Sequence, residues 1–178
     1  PTGNEIDIFY ESLVNGRSGL KSYENLKDSK MSCTVAGIPH FDDVAANRIK
    51  TFLSPSIVNA IGSLNIKYAL SASISAMEDS GLEWKKKENL WDAGCIFGTS
   101  TADVNELKNI IYKVDEQKIR ELGVRNIEQF MTCGISSYIA GIFGLANRVY
   151  TNSSACATGT DSIILAYEYI KNGHARMM

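Results

Sequence analysis

Apolar residues recur at three-and-four spacing along five stretches of the chain, and glycines stand where four of them stop. Ile6, Phe9, Tyr10, Leu13 and Val14 share one helical face between Asn4 and Asn15, before a tight turn at Gly16-Arg17-Ser18-Gly19. From Leu64 to Asp79, Ile66, Ala69, Leu70, Ser73, Ile74, Ala76 and Met77 cover a broad small-residue face, which predicts a closely packed helix ended by Gly81. Asp103 to Arg120 sets Val104, Leu107, Ile110, Ile111, Val114 and Ile119 among charges, the pattern of a half-exposed helix. Gly134 to Leu145 predicts a buried helix closed by Gly144, and Ala157 to Asn172 a helix that stops at Gly173.

Two runs read instead as strands. Trp91 to Gly98 is a buried strand running into the turn Gly98-Thr99-Ser100-Thr101, and Arg148 to Ser153 is a second. Between Ser22 and Pro55 the periodicity is poor and Gly37, Pro39 and Pro55 punctuate it, so irregular loop is expected around the apolar piece Cys33 to Ile38. Strands alternating with helices, with no internal repeat or low-complexity linker, predict an α/β fold in which residues 1–178 form a single domain.

Composition narrows the function classes. With 44% hydrophobic and 21% charged residues the chain reads as soluble and globular, and no apolar run approaches the length of a membrane span. A net charge of -2 gives no general reason to hold a nucleic acid, and the basic run Trp84-Lys85-Lys86-Lys87 reads as a solvated loop. Cys33, Cys95, Cys133 and Cys156 form no C-x-x-C pair and have no adjacent His, so no metal site is expected. Without a secretory start, reduced thiols in a cytoplasm are the simplest assumption.

Cys156 stands apart. It lies between the strand-like and helix-like runs, and Ser154, Ala155, Ala157 and Gly159 around it are small, which meets the steric demand of a nucleophile elbow. A cysteine at the first turn of a helix also meets the positive end of the peptide dipoles, which favours thiolate. The competing reading is a buried structural cysteine, which suffices for Cys33, Cys95 and Cys133. A base is hard to find. His174 lies roughly 27 Å along the same helix at ~1.5 Å per residue, and His40 stands in the irregular segment.

At Ser153-Ser154-Ala155-Cys156-Ala157-Thr158-Gly159 the sequence resembles the active-site segment of the elongating β-ketoacyl-acyl-carrier-protein synthases, thiolase-like condensing enzymes. The likeness extends to Gly16-Arg17-Ser18-Gly19, Ala76-Met77-Glu78-Asp79-Ser80-Gly81-Leu82, Gly98-Thr99-Ser100, and Gly141-Ile142-Phe143-Gly144-Leu145 followed by Arg148 to Ser154. These cover nearly the whole chain in order.

The resemblance implies the N-terminal half of a layered αβαβα fold, a mixed sheet flanked by helices, with the first strand and the C-terminal half absent. The chain starts at Pro1-Thr2-Gly3, after the place of the family's first strand, and reaches Met177-Met178 where another strand should begin. It further implies that Cys156 accepts an acyl chain from the phosphopantetheine arm of an acyl carrier protein, with no separate cofactor. Decarboxylative condensation with malonyl-carrier would follow. The second oxyanion donor, two histidines and a lysine would come from the other half of the fold. A homodimer or heterodimer through the strand Arg148 to Ser154 is implied as well. Basic residues that commonly meet the carrier are lacking between Ser54 and Asn65, where only Arg48, Lys50 and Lys67 flank the stretch. Three functions stay open: a condensing acyltransferase, a cysteine hydrolase, and a non-catalytic or chain-length-factor-like dimerisation piece.

Overall fold

The structure is a computed structural model that describes residues 2–82, 88–101 and 103–178. The run Trp84-Lys85-Lys86-Lys87 lies outside the described residues. The chain forms two compact units, residues 1–47 and 48–178.

In the first unit, helix α1 (Ile6–Val14) is followed by strand β1 (Lys21–Ser22), helix α2 (Glu24–Asp28) and strand β2 (Val35–Ala36), with helix α3 (Asp43–Phe52) beginning near its end. β1 and β2 pair antiparallel, Lys21 opposite Ala36 and Ser22 opposite Val35. Asp42 Oδ1 accepts the Ala45 N–H (2.9 Å) at the start of α3, and Oδ2 accepts from Asn4 Nδ2 (2.6 Å). The Ala45 N–H, and then the Asn4 amide, hold the Asp42 carboxyl below the usual carboxylate range.

The expectation of irregular loop from Ser22 to Pro55 is corrected here. The strands are two residues long and α2 five, too short for any period to register. α3 does carry a signal, because Ala45 and Ile49, and Leu53 just past its end, recur at four-residue spacing and are buried.

The second unit holds helices α4 (Pro55–Ala60), α5 (Leu64–Asp79), α6 (Val104–Asp115), α7 (Val124–Phe130), α8 (Gly134–Phe143) and α9 (Thr158–Lys171), with strands β3 (Cys95–Gly98) and β4 (Val149–Asn152). β3 and β4 run parallel, Cys95 opposite Val149 through Gly98 opposite Asn152. On the other side of the β3 segment, Ala93 bridges Met177 in parallel and Gly94 N–H donates to Met177 O. The expected strand from Trp91 is thus shorter. Residues 91 and 92 form a turn, Trp91 is 73% exposed, and the Asp92 carbonyl accepts from the N–H groups of Arg176 and Met177.

The core of this unit lies where α5 packs on α8. Ile66, Leu70 and Ile74 of α5 and Ile139 and Phe143 of α8 are buried, each side chain contributing about 1.5–3 kcal/mol by leaving water. The Phe52 ring lies 5.4 Å from that of Phe143. Gly144 takes φ +69° at the end of α8, and a Cβ there would also meet the Glu88 carbonyl at 2.5 Å, so only glycine fits. No helix among the described residues is long and apolar enough to cross a membrane.

A buried polar cluster fixes the turn before α5. Gln129 Oε1 accepts from the N–H groups of Gly62 (2.7 Å) and Ser63 (2.9 Å), and its Nε2 donates to Ala60 O (2.9 Å). Ser63 Oγ donates to Asp103 Oδ2 (2.6 Å), while Asp103 Oδ1 caps α6 at Asn105 and Glu106. One amide side chain therefore ties α7 to the α4–α5 turn. Gln129→Ala leaves the buried Ser63 N–H without its acceptor, whereas the exposed Gly62 can turn to water. A loss of about 2 kcal/mol in unfolding free energy is expected, measured by chemical denaturation with an unchanged slope.

Candidate active site

The chain leaves β4 at Asn152, crosses Ser153 and Ser154, and enters a 3-10 turn (Ala155–Ala157) that runs directly into α9. Cys156 sits in that turn, two residues ahead of the helix, and is exposed. Ala155 has φ +51°, a left-handed conformation that a residue with a Cβ adopts at a cost of about 1–3 kcal/mol. The sharp reversal lifts Cys156 off the line between strand and helix.

Side-chain hydroxyls supply most of the bonds that hold this conformation. Thr158 Oγ1 accepts the Ser154 N–H (2.9 Å) and donates to Ala155 O (2.6 Å). Ser100, in the turn after β3, donates to the same carbonyl (3.2 Å). Ser154 Oγ donates to the carboxylate of Asp161, an acid in the first turn of α9 where the helix dipole favours negative charge. Asn152 binds the helix start from the strand side: its Nδ2 donates to Thr158 O (3.2 Å) and its Oδ1 accepts from Ser162 Oγ (2.7 Å).

Close approach makes these bonds attainable. Gly98, the last residue of β3, lies against Thr158, and a methyl group there would overlap Thr158 Cγ2. At the junction of strand and turn, Gly98 serves to admit the helix. Farther along the strand pair, Ser136 Oγ of α8 shares a short hydrogen bond with Thr151 Oγ1 of β4.

The four cysteines are free, and their surroundings differ. Cys95 is buried under α8, where its Sγ donates to Ser136 O (3.6 Å), and burial pushes its thiol up to about 11. Cys33 is exposed and Cys133 partly so. His174 lies past the far end of α9 with its ring 5.4 Å from Tyr169, as the spacing predicts. The His40 carbonyl accepts from Asn4 in the first unit. Among the described residues no group of three or more His, Cys, Asp and Glu could hold a metal ion. Thr158, Ser100, Asp161 and Asn152 were not singled out from sequence; the available signal was the hydroxyl two positions after Cys156.

The Gly98→Ala variant is expected to push α9 away from β3 and cost about 1–3 kcal/mol, measured by chemical denaturation. In the folded protein at pH 8, iodoacetamide is expected to modify Cys156 and Cys33 first and Cys95 only after unfolding, because the Cys95 thiol stays protonated and covered. Peptide mass spectrometry gives the order, and early modification of Cys95 would contradict it.

A family model for the β-ketoacyl synthase N-terminal domain matches residues 1–178. The chain is 28% identical to 3-oxoacyl-[acyl-carrier-protein] synthase 2 of Vibrio cholerae, over all of this chain and 41% of that protein. It therefore spans about two fifths of this relative's length. Among solved structures, it is similar to the ishigamide ketosynthase/chain length factor, with a TM-score of 0.76 at 17% identity over 98% of this chain and 42% of that one. A chain from a solved complex of a type II polyketide synthase acyl-carrier protein with its ketosynthase bound to the hexaketide gives a TM-score of 0.71 at 15% identity, covering 98% of this chain and 44% of that chain. The fold is that of the thiolase-like ketosynthases, and with the family model spanning every residue, the chain belongs to the β-ketoacyl synthase family as its N-terminal domain.

Proposed function

We propose that this chain carries the acyl-accepting cysteine of a condensing acyltransferase of fatty acid or polyketide synthesis, and that Cys156 is that nucleophile. One observation carries the reading: an exposed sulfur sits at a strained strand-to-helix reversal, two residues ahead of a fourteen-residue helix. Small neighbours leave room for the narrow arm of a phosphopantetheine thioester.

In the first step the Cys156 sulfur bonds to the carbonyl carbon of an acyl thioester. The bond from that carbon to the carrier's sulfur breaks, and the departing thiolate takes the proton that the cysteine gave up. Negative charge develops on the carbonyl oxygen, where a backbone N–H at the head of α9 stabilises it. In the second step malonyl-carrier loses carbon dioxide, its carbanion attacks the acyl-cysteine, and the thiolate is released as the carbon–carbon bond forms. The remaining catalytic groups belong to the part of the family's fold beyond the length this chain spans.

Two partners follow from the same reading. An acyl carrier protein delivers both thioesters, and a related subunit pairs along β4, whose Val149 and Tyr150 are 40% and 41% exposed. The similar solved structures, one with a chain length factor and one with an acyl-carrier protein, support both. Helix α8 is the proposed wall for the acyl chain. Its Ile142 lines a cavity of about 530 Å³ shared with α4 and α7, and its Ile139 and Phe143 line another of about 430 Å³ against α5, β3 and α9. Free thiols suit action in the cytoplasm.

Mixing the protein with an acyl-carrier or acyl-CoA donor is expected to add one acyl mass at Cys156, and Cys156→Ser to abolish it, by intact and peptide mass spectrometry. Acyl mass at another cysteine, or none when the full synthase is acylated, would defeat the assignment. Release of free acid with turnover would favour a hydrolase instead.

A further inference from the structure

The peptide joining Ala155 to Cys156 is held from one side only. Its carbonyl accepts three donors: the Thr158 N–H, Thr158 Oγ1 at 2.6 Å and Ser100 Oγ at 3.2 Å. Its N–H, which belongs to Cys156, has no acceptor among the described residues. In a planar trans peptide the C=O and N–H point in opposite directions. Fixing the carbonyl therefore aims the N–H away from β3 and α9 and leaves it open to an incoming group. Donors on a carbonyl also polarise its peptide, strengthening the opposite N–H as a donor by roughly 10–30% per bond.

Building on the proposal that Cys156 is the nucleophile, we propose that Ser100 and Thr158 are positioning residues that aim the Cys156 N–H at the oxyanion formed during acyl transfer. They never touch the substrate; they act through the Ala155 carbonyl. Ser100 comes from the turn after β3 and Thr158 from the first residue of α9, so the aim of one N–H is set jointly by two elements. The two hydroxyls differ in their surroundings. Thr158 is buried and its oxygen both donates and accepts, whereas Ser100 is exposed and makes a single bond to the carbonyl.

A role in aiming a donor is separable from a role in presenting the sulfur. Alkylation by iodoacetamide displaces iodide and builds no oxyanion, whereas acylation by hexanoyl-N-acetylcysteamine builds one. Both rates at Cys156 are read by peptide mass spectrometry on wild type, Ser100→Ala, Thr158→Val and Thr158→Ser.

Ser100→Ala and Thr158→Val are expected to slow acylation roughly tenfold or more, with alkylation unchanged. Thr158→Ser, which keeps the hydroxyl, is expected to restore acylation. Equal slowing of both reactions would mean a merely structural role and overturn the proposal. Unchanged acylation in both variants, with wild type acylated normally, would overturn it while sparing Cys156 as nucleophile. A wild-type protein alkylated at Cys156 but never acylated there would remove the underlying assignment and this proposal with it. Should Thr158→Val fail to fold, Ser100→Ala at its exposed position decides.

Discussion

The conformation of Ala155 is the constraint on which the site depends. A left-handed alanine costs about 1–3 kcal/mol, and hydrogen bonds in proteins contribute about 0.5–1.5 kcal/mol each in net terms. Three donors on the Ala155 carbonyl, together with the Ser154 N–H bound to Thr158 Oγ1, supply a stabilisation of the same order as that cost. Without the hydroxyls the Ala155 carbonyl would keep only the Thr158 N–H as donor, and the peptide ahead of Cys156 would lose its fixed direction.

The rest of the second unit serves to bring those hydroxyls into range. β3 and β4 run parallel, so the chain ends that leave them, one carrying Ser100 and the other Cys156, emerge at the same edge. Gly98 removes the side chain that would keep α9 away. Behind the strands, α8 ties to β3 through Cys95 and to β4 through Ser136, and α5 packs against α8 with Ile66, Leu70, Ile74, Ile139 and Phe143 buried. The Gln129 cluster ties α7 to the turn leading into α5. Core packing thus reaches the elbow through a short series of contacts.

Long periodic elements were legible in the sequence because their apolar faces repeat many times. α5 runs over Leu64–Asp79 as its spacing predicts, and α1, α6, α8 and α9 differ from expectation by a few residues at their ends, where fraying and caps decide. α6 is the widest discrepancy: it stops at Asp115, and residues 119–121 form a separate 3-10 turn. β1, β2, α2, α4 and α7, of two to seven residues each, have no period to read. The position of Cys156 between strand and helix was legible from small neighbours and a change of periodicity. Its supports were not, because Ser100 lies fifty-five positions from the carbonyl that it binds. Such a contact exists only once the strands have paired.

The most direct test is a crystal structure of the protein with an acyl group captured on Cys156. The thioester oxygen is expected about 3 Å from the Cys156 nitrogen, with Ala155 still left-handed and its carbonyl still bound by Ser100 and Thr158. An oxygen turned toward solvent, with Ala155 relaxed into the right-handed helical region, would contradict the account.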